Sequence, residues 1–170
     1  MVEFWELLCY DTEKPRRCSP LKVIFLDFDG VLNAEADFCR HGVCILPTKI
    51  RLLKQIVDAT DAVIVLSTSW REHWSAAESE CDDIGVLING IFIQYGLQIQ
   101  DKTPQLPTGR EAQIKSWLDA HPETTQFVVL DDALLSADFM KDHFVKTSGH
   151  FGGMDETDVQ KAIEILGVRA

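Results

Sequence analysis

Three short apolar runs in this chain each stop abruptly at polar residues, and that pattern restricts the fold more than any other feature. Val23-Ile24-Phe25-Leu26 gives way to Asp27-Phe28-Asp29-Gly30, Ala62–Leu66 to Ser67-Thr68-Ser69, and Phe127–Leu130 to Asp131-Asp132. None of the runs alternates apolar with polar residues, as a strand with one wet face would, so each fits a strand buried on both faces. Between them lie stretches with apolar residues at helical spacing. Pro47-Thr48 opens one that carries Ile50, Leu53, Ile56 and Val57. A second, behind Thr108, carries Ile114, Trp117 and Leu118 and stops near His121-Pro122; a last one, about Thr157 to Leu166, aligns Val159, Ala162, Ile163 and Leu166. Buried strands alternating with amphipathic helices predict an α/β fold, a Rossmann-like three-layer α/β/α sandwich around a central parallel sheet.

The remaining segments are read more coarsely. Residues 1–20 form an N-terminal extension that turns polar and breaker-rich at Asp11–Arg17, and residues 21–170 form the one domain. Residues 30–46 read as a small flap and 70–82 as a helix. Val86–Gln100 contains Asn89-Gly90, a hairpin-prone dipeptide, so one or two short strands are expected there. Thr108-Gly109-Arg110-Glu111 has the spacing of a capping box. His143–Lys146 reads as a further strand, followed by the glycine-containing loop Ser148–Gly153. There are no internal repeats.

Composition excludes several classes of function. The net charge of −11 argues against broad, non-specific binding to nucleic acid, which needs a basic face. It does not exclude an anionic substrate, because a bound divalent cation reverses the local field. No apolar run approaches the roughly 20 residues that span a bilayer. The N-terminus has no basic n-region, so it is not read as a signal peptide. Five irregularly spaced cysteines read as free thiols in a reducing compartment, and a cytoplasmic location is expected. Cys39, His41 and Cys44 cluster, but no second ligand pair at zinc-site spacing accompanies them.

In parallel α/β sheets, ligands bind at the carboxyl ends of the strands. Asp27, Asp29, Ser67, Thr68, Asp131 and Asp132 all belong at those ends and converge on one crevice. Asp27 and Asp29, two apart in extended chain, point to the same side. Carboxylates held that close repel unless a cation or a shared proton relieves them. Oxygen-only ligands select magnesium or a similar hard cation. Any one of these aspartates alone would be read as a helix cap or turn residue; three strand ends together favour a metal site.

Asp27-Phe28-Asp29-Gly30-Val31-Leu32 behind its hydrophobic strand resembles the first motif of the haloacid dehalogenase-like (HAD) superfamily. Ser67-Thr68 resembles the second motif and Leu130-Asp131-Asp132 the fourth, over about residues 21–167. More narrowly, Leu66–Arg71, Arg110–Ile114 with Trp117-Leu118, the Asp131-Asp132 pair and the final glycine loop are similar to a HAD group attached to RNA-repair proteins. The resemblance implies a magnesium-dependent phosphatase. Asp27 would be the nucleophile, forming an aspartyl-phosphate, and Asp29 the general acid and then base. Dehalogenases of the superfamily lack an acid at that second position, so Asp29 favours phosphoryl chemistry. Mg²⁺ would be held by the Asp27 carboxylate, the Asp29 carbonyl and Asp131, with Asp132 assisting. Ser67, or alternatively Thr68, would bind the phosphoryl oxygens. The basic residue of the third motif is ranked Arg110, then Lys102, then Lys115, because a helix that leads into a parallel strand starts at the level of the site. Gly30, Ser69, Arg71, Lys102 and Gly152 are candidates for substrate contacts, although Arg71 is expected at the surface and Trp70 in packing.

HAD enzymes often carry a cap domain, and neither the flap nor residues 86–106 is large enough for one. An open site suits a substrate that supplies its own cover, such as a nucleic-acid end or another phosphorylated macromolecule. Two other classes remain in view. A receiver domain also clusters aspartates at parallel strand ends, but its acidic pair belongs to the first strand. A scaffold protein would retain the fold without turnover.

Overall fold

The computed structural model describes residues 21–34 and 44–169. The N-terminal extension, most of the flap, and Cys39 and His41 lie outside the described residues. Among the described residues nine strands and α-helices follow in order: β1 (Leu21–Leu26), α1 (Pro47–Thr60), β2 (Val63–Leu66), α2 (Asp83–Gln94), β3 (Ile99–Lys102), α3 (Arg110–Ala120), β4 (Thr124–Asp131), β5 (Phe144–Lys146) and α4 (Glu156–Leu166). The strands form one five-stranded sheet in the order β3-β2-β1-β4-β5, and every pairing is parallel.

β1 sits in the middle, and its lack of alternation has a simple cause. Ile24 and Leu26 enter one core with Ile64, Leu66, Val128 and Leu130, beneath α1, α2 and α4. Val23 and Phe25 enter the other with Val65 and Val129, beneath α3 and Met140. Successive strand residues point to opposite faces, so a sheet covered on both sides needs apolar residues throughout. Phe25 meets the rings of Trp117 and Phe127 edge-on, at 5.3 and 6.0 Å between centroids. The predicted three-layer sandwich without a large cap is therefore present, with three helices on one face and one on the other.

Three local expectations are corrected. Residues 70–82 form no α-helix; they make two 3₁₀ turns, Ser69–His73 and Glu78–Glu80. Of Val86–Gln100, where one or two short strands are expected, the part up to Gln94 belongs instead to α2, which buries Gly85, Ile88 and Phe92 at helical spacing, and one strand, β3, begins at Ile99. Asp82 caps α2 by accepting from the N–H groups of Ile84 and Gly85, both at 3.0 Å. Asn89 turns no chain either; its Oδ1 accepts from Trp74 Nε1 at 2.9 Å, a tertiary contact that overrides the dipeptide's turn preference. The helix packs so closely on the preceding turn that a Cβ at Gly85 would lie 2.0 Å from the carbonyl oxygen of His73.

At the third correction, the N-cap of α3 is Gly109, at φ 88°, with no side-chain cap bond. Glu111 instead reaches across to accept from the backbone N–H of Ser136 and Ala137. The capping box of this fold lies at α4, where Asp155 and Asp158 bond each other's backbone N–H. No described helix is long and apolar enough to cross a membrane.

Candidate active site

Parallel pairing brings the carboxyl ends of β1, β2 and β4 to one edge of the sheet. The ladder continues one residue past β1: Asp27 N–H donates to Leu130 O and Ser67 N–H to Leu26 O, both at 3.0 Å. Asp27 is thereby fixed by backbone at the end of the central strand, and Ser67 at the end of the neighbouring β2. Asp27 is 4% exposed and Asp131 fully buried. Carboxylate oxygens of Asp27, Asp131 and Asp132 lie within 4.8 Å of one another.

Arg110, on the first turn of α3, spans two of these groups. Its Nη1 donates to Asp27 Oδ2 at 2.5 Å and to Asp131 Oδ2. Of the three basic residues ranked for this position, only Arg110 is brought onto the carboxylates. Lys102 points its Nζ at the carbonyls of Arg71 and Trp74, and Lys115 is exposed and paired with Asp119.

One guanidinium does not balance three carboxylates. Burial raises the Asp27 pKa to about 6, and the Asp131 charge adds to it, even though Arg110 and the Phe28 N–H pull the other way. Burial and then Asp131 also raise Asp132. Burial disfavours the Arg110 charge, but Asp27 and Asp131 outweigh it and hold this group above its ordinary value. An oxygen-only set of close, partly desolvated carboxylates is chemistry that fits a hard divalent cation. The backbone is shaped to it as well. A Cβ at Gly30 (φ 74°) would stand 2.3 Å from Asp132 Oδ2, and one at Gly149 2.2 Å, so two glycines make room for that carboxylate.

Asp29 stands outside this group. Its Oδ1 accepts from Asn33 Nδ2 at 3.0 Å and its Oδ2 from Trp70 Nε1 at 2.8 Å. The same Asn33 accepts from Gly30 N–H at 2.8 Å and donates to the carbonyl of Cys44. Thr147, just past β5, donates its hydroxyl to the Gly30 carbonyl at 2.7 Å. Asn33, Trp70 and Thr147 were missed as site residues. An indole N–H three residues past Ser67, and a side-chain amide four past Asp29, each need a partner near the strand ends, and that was the available signal.

The two hydroxyls at the end of β2 are now distinguished. Thr68 Oγ1 accepts from Trp70 N–H at 3.3 Å and caps the 3₁₀ turn. Ser67 Oγ is buried with no partner among the described residues. Ser69 is exposed. Arg71, expected at the surface, is 7% exposed, because its Nη1 donates to the Thr68 carbonyl at 2.6 Å and folds the side chain inward. Gly152 adopts φ 115° with open space beside it, whereas a Cβ at Gly153 would lie 2.4 Å from the carbonyl oxygen of Asn33 and 2.8 Å from that of Val31.

Comparison with known proteins adds one match. The family described as "HAD domain in Swiss Army Knife RNA repair proteins" matches residues 23–159. No curated protein and no solved structure matches the chain. The matched span runs from the third residue of β1 into α4 and contains every carboxylate of the crevice. On that span, the chain belongs to the family of HAD domains found in Swiss Army Knife RNA repair proteins.

Proposed function

We propose that this HAD domain is a magnesium-dependent phosphomonoester hydrolase that works through an aspartyl-phosphate on Asp27. The observation that carries the reading is Arg110 bridging Asp27 and Asp131 within the three-carboxylate group at the end of β1. Asp27, Asp131 and Asp132 would hold the metal, which when bound screens the repulsion between an anionic nucleophile and an anionic substrate.

The chain's own residues supply the rest. An Asp27 oxygen attacks phosphorus while the bond from phosphorus to the leaving oxygen breaks, and Asp29 gives its proton to that oxygen. Asp29, now a carboxylate, takes a proton from water as the water attacks the phosphorus. The bond from phosphorus to Asp27 then breaks, and inorganic phosphate leaves with Asp27 restored. Ser67 Oγ donates to a phosphoryl oxygen, which gives this buried hydroxyl the partner it otherwise lacks. Arg110 counters the charge of the nucleophile and then of the transferring group.

A site without a large cap suits a phosphate on a large substrate. Among the described residues the two most exposed large apolar side chains are Leu134 at 85% and Phe151 at 91%. They stand in the loops after β4 and β5, Leu134 two residues past Asp132 and Phe151 two past Gly149, where a bulky substrate would cover them. The family's association with RNA repair makes a nucleic-acid end the favoured substrate class, and the net charge of −11 limits that to end recognition rather than broad adhesion.

Purified protein with Mg²⁺ should release phosphate from an aryl phosphate, and Asp27→Asn should abolish the release. Turnover that survives thorough chelation would overturn the metal dependence.

A further inference from the structure

Arg71 is buried in a way that arginine seldom is. A guanidinium inside a protein ordinarily has a carboxylate or another anion beside it. Arg71 is 7% exposed, yet it makes no ion pair among the described residues. Its Nη1 bonds only the neutral carbonyl of Thr68, and its Nε has no partner. Burial disfavours its charge, and Arg110 adds to that, while Glu72 and Asp27 offset it only in part. Of the three buried side-chain atoms without a partner among the described residues, two, Ser67 Oγ and Arg71 Nε, belong to one five-residue segment after β2. One is assigned to the phosphoryl group; the other is still without an anion.

Arg71 also lines an open cavity of about 440 Å³ beside the end of β3, together with Lys102, Thr103, Gln105, Ser116 and Trp117. That volume lies in the range of small-ligand sites, about 300–1,000 Å³. Two carboxylates border it as well, but both are engaged. Glu72 accepts from Gln105 Nε2 at 2.7 Å, and Asp101 accepts from Lys102 N–H at 2.8 Å and Trp117 Nε1 at 2.7 Å. Lys102 Nζ is held on two carbonyls and faces no carboxylate of its own. Two cations thus line one cavity with neither charge directly paired among the described residues, and Lys102 Nζ bonds the carbonyl of Arg71 itself at 3.3 Å.

We infer that Arg71 and Lys102 form a second anion pocket, on the segment after β2 that also carries Ser67, which takes another phosphate of the same substrate. The preferred substrate is then a phosphomonoester that carries a second phosphate group. A bisphosphorylated nucleoside and the phosphorylated end of an oligonucleotide share that chemistry. Arginine suits the role because its planar fork matches phosphate oxygens. This inference rests on the phosphatase reading above and narrows it.

The test compares kcat/KM for adenosine 3′-monophosphate, adenosine 5′-monophosphate, adenosine 3′,5′-bisphosphate and a terminally phosphorylated dinucleotide. The wild-type protein should favour at least one two-phosphate substrate over both monophosphates by about tenfold or more, chiefly through KM. An advantage for the bisphosphate alone assigns the pocket to a free phosphate, and one for the dinucleotide assigns it to a phosphodiester. No advantage for either overturns the pocket. Arg71→Gln should cut the favoured substrate about tenfold more than the monophosphates, with Arg71→Lys recovering part of the difference. Equal losses on all substrates would mean that Arg71 is only structural. Lys102→Gln, at a half-exposed position, should reduce the same preference if Arg71→Gln does not fold.

If no substrate turns over, the phosphatase reading fails, and binding alone decides the pocket. Calorimetric titration of the Asp27→Asn protein with adenosine 3′,5′-bisphosphate should then weaken about tenfold when Arg71→Gln is added. An unchanged Kd would overturn the inference.

Discussion

Trp70 Nε1 donates to Asp29 Oδ2 at 2.8 Å, while Asn33 holds the other oxygen of the same carboxylate. The proposed acid is therefore aimed by a side chain from the end of β2, across the central strand's own loop. Trp70 is partly buried against the larger core, so its ring is anchored and its N–H is a fixed donor. This makes it a positioning residue.

Trp70→Phe keeps the ring's packing and removes the donor. Its effect should depend on how much help the leaving oxygen needs. Hydrolysis of p-nitrophenyl phosphate, whose leaving group needs little protonation, should fall only a few-fold; an alkyl phosphate should lose on the order of 10–100-fold in kcat, less than the full effect of an acid–base group because Asp29 itself is still present. Equal losses on both substrates would assign Trp70 to packing alone.

Arg110 stands between two buried carboxylates, and removing it leaves them facing each other without a counter-charge. In chelator, Arg110→Ala should destabilise the fold by about 3–5 kcal/mol, the usual cost of breaking a buried pair from one side. Added Mg²⁺ should return part of that stability, and the rise in Tm on adding it should exceed the rise for the wild type. Calorimetry with and without metal checks both expectations. A metal response no larger than that of the wild type would separate Arg110 from the metal group.

The parts of this site that were legible in the sequence are those fixed by strand ends. Asp27, Ser67 and Asp131 follow directly from apolar runs that need no alternation, because each run feeds two cores at once. Topology alone also favoured Arg110 over Lys102 and Lys115. What escaped were contacts made by side chains that cross between loops. Arg71 looks like a surface residue until the Thr68 carbonyl turns it inward. Asn89-Gly90 looks like a turn until Trp74 uses the asparagine and the apolar stripe of α2 finds its core. Local preferences worth fractions of a kcal/mol lose to burial of several apolar side chains.

The raised pKa of Asp27, from 3.8 to about 6 with burial as its main cause, links the site to stability. The folded metal-free protein holds this proton more tightly than the unfolded chain. Stability therefore falls as pH rises from about 4 to about 6, by up to about 3 kcal/mol at ~1.4 kcal/mol per pKa step. Asp27→Asn removes the charge and most of this loss. In chelator the variant should be more stable than the wild type at pH 7.5 and nearly equal to it at pH 4. Urea titrations at the two pH values measure the difference. An advantage of the same size at both would show that the Asp27 charge is not its source.

Gly149 isolates the role of shape. Its Cβ would lie 2.2 Å from Asp132 Oδ2 and little more than 3 Å from the rest of that side chain. Its backbone, unlike that of Gly30 at φ 74°, is not among those at positive φ. Gly149→Ala therefore carries a steric cost without a left-handed-backbone cost. The loop that carries it is tied down, since Phe151 and Gly153 both donate to Ser148 O at 3.0 Å and Met154 donates to Val31 O at the same distance. The carboxylate of Asp132 is the part that can yield, and it would turn away from Asp27 and Asp131. Mg²⁺ affinity should drop about 10–100-fold, as for other changes just outside a ligand set. Tm in chelator should stay within a few degrees of the wild type. Gly30→Ala should lose both metal affinity and stability. If Gly149→Ala binds Mg²⁺ with wild-type affinity, Asp132 does not belong to the metal group, and Asp27 and Asp131 hold the ion without it.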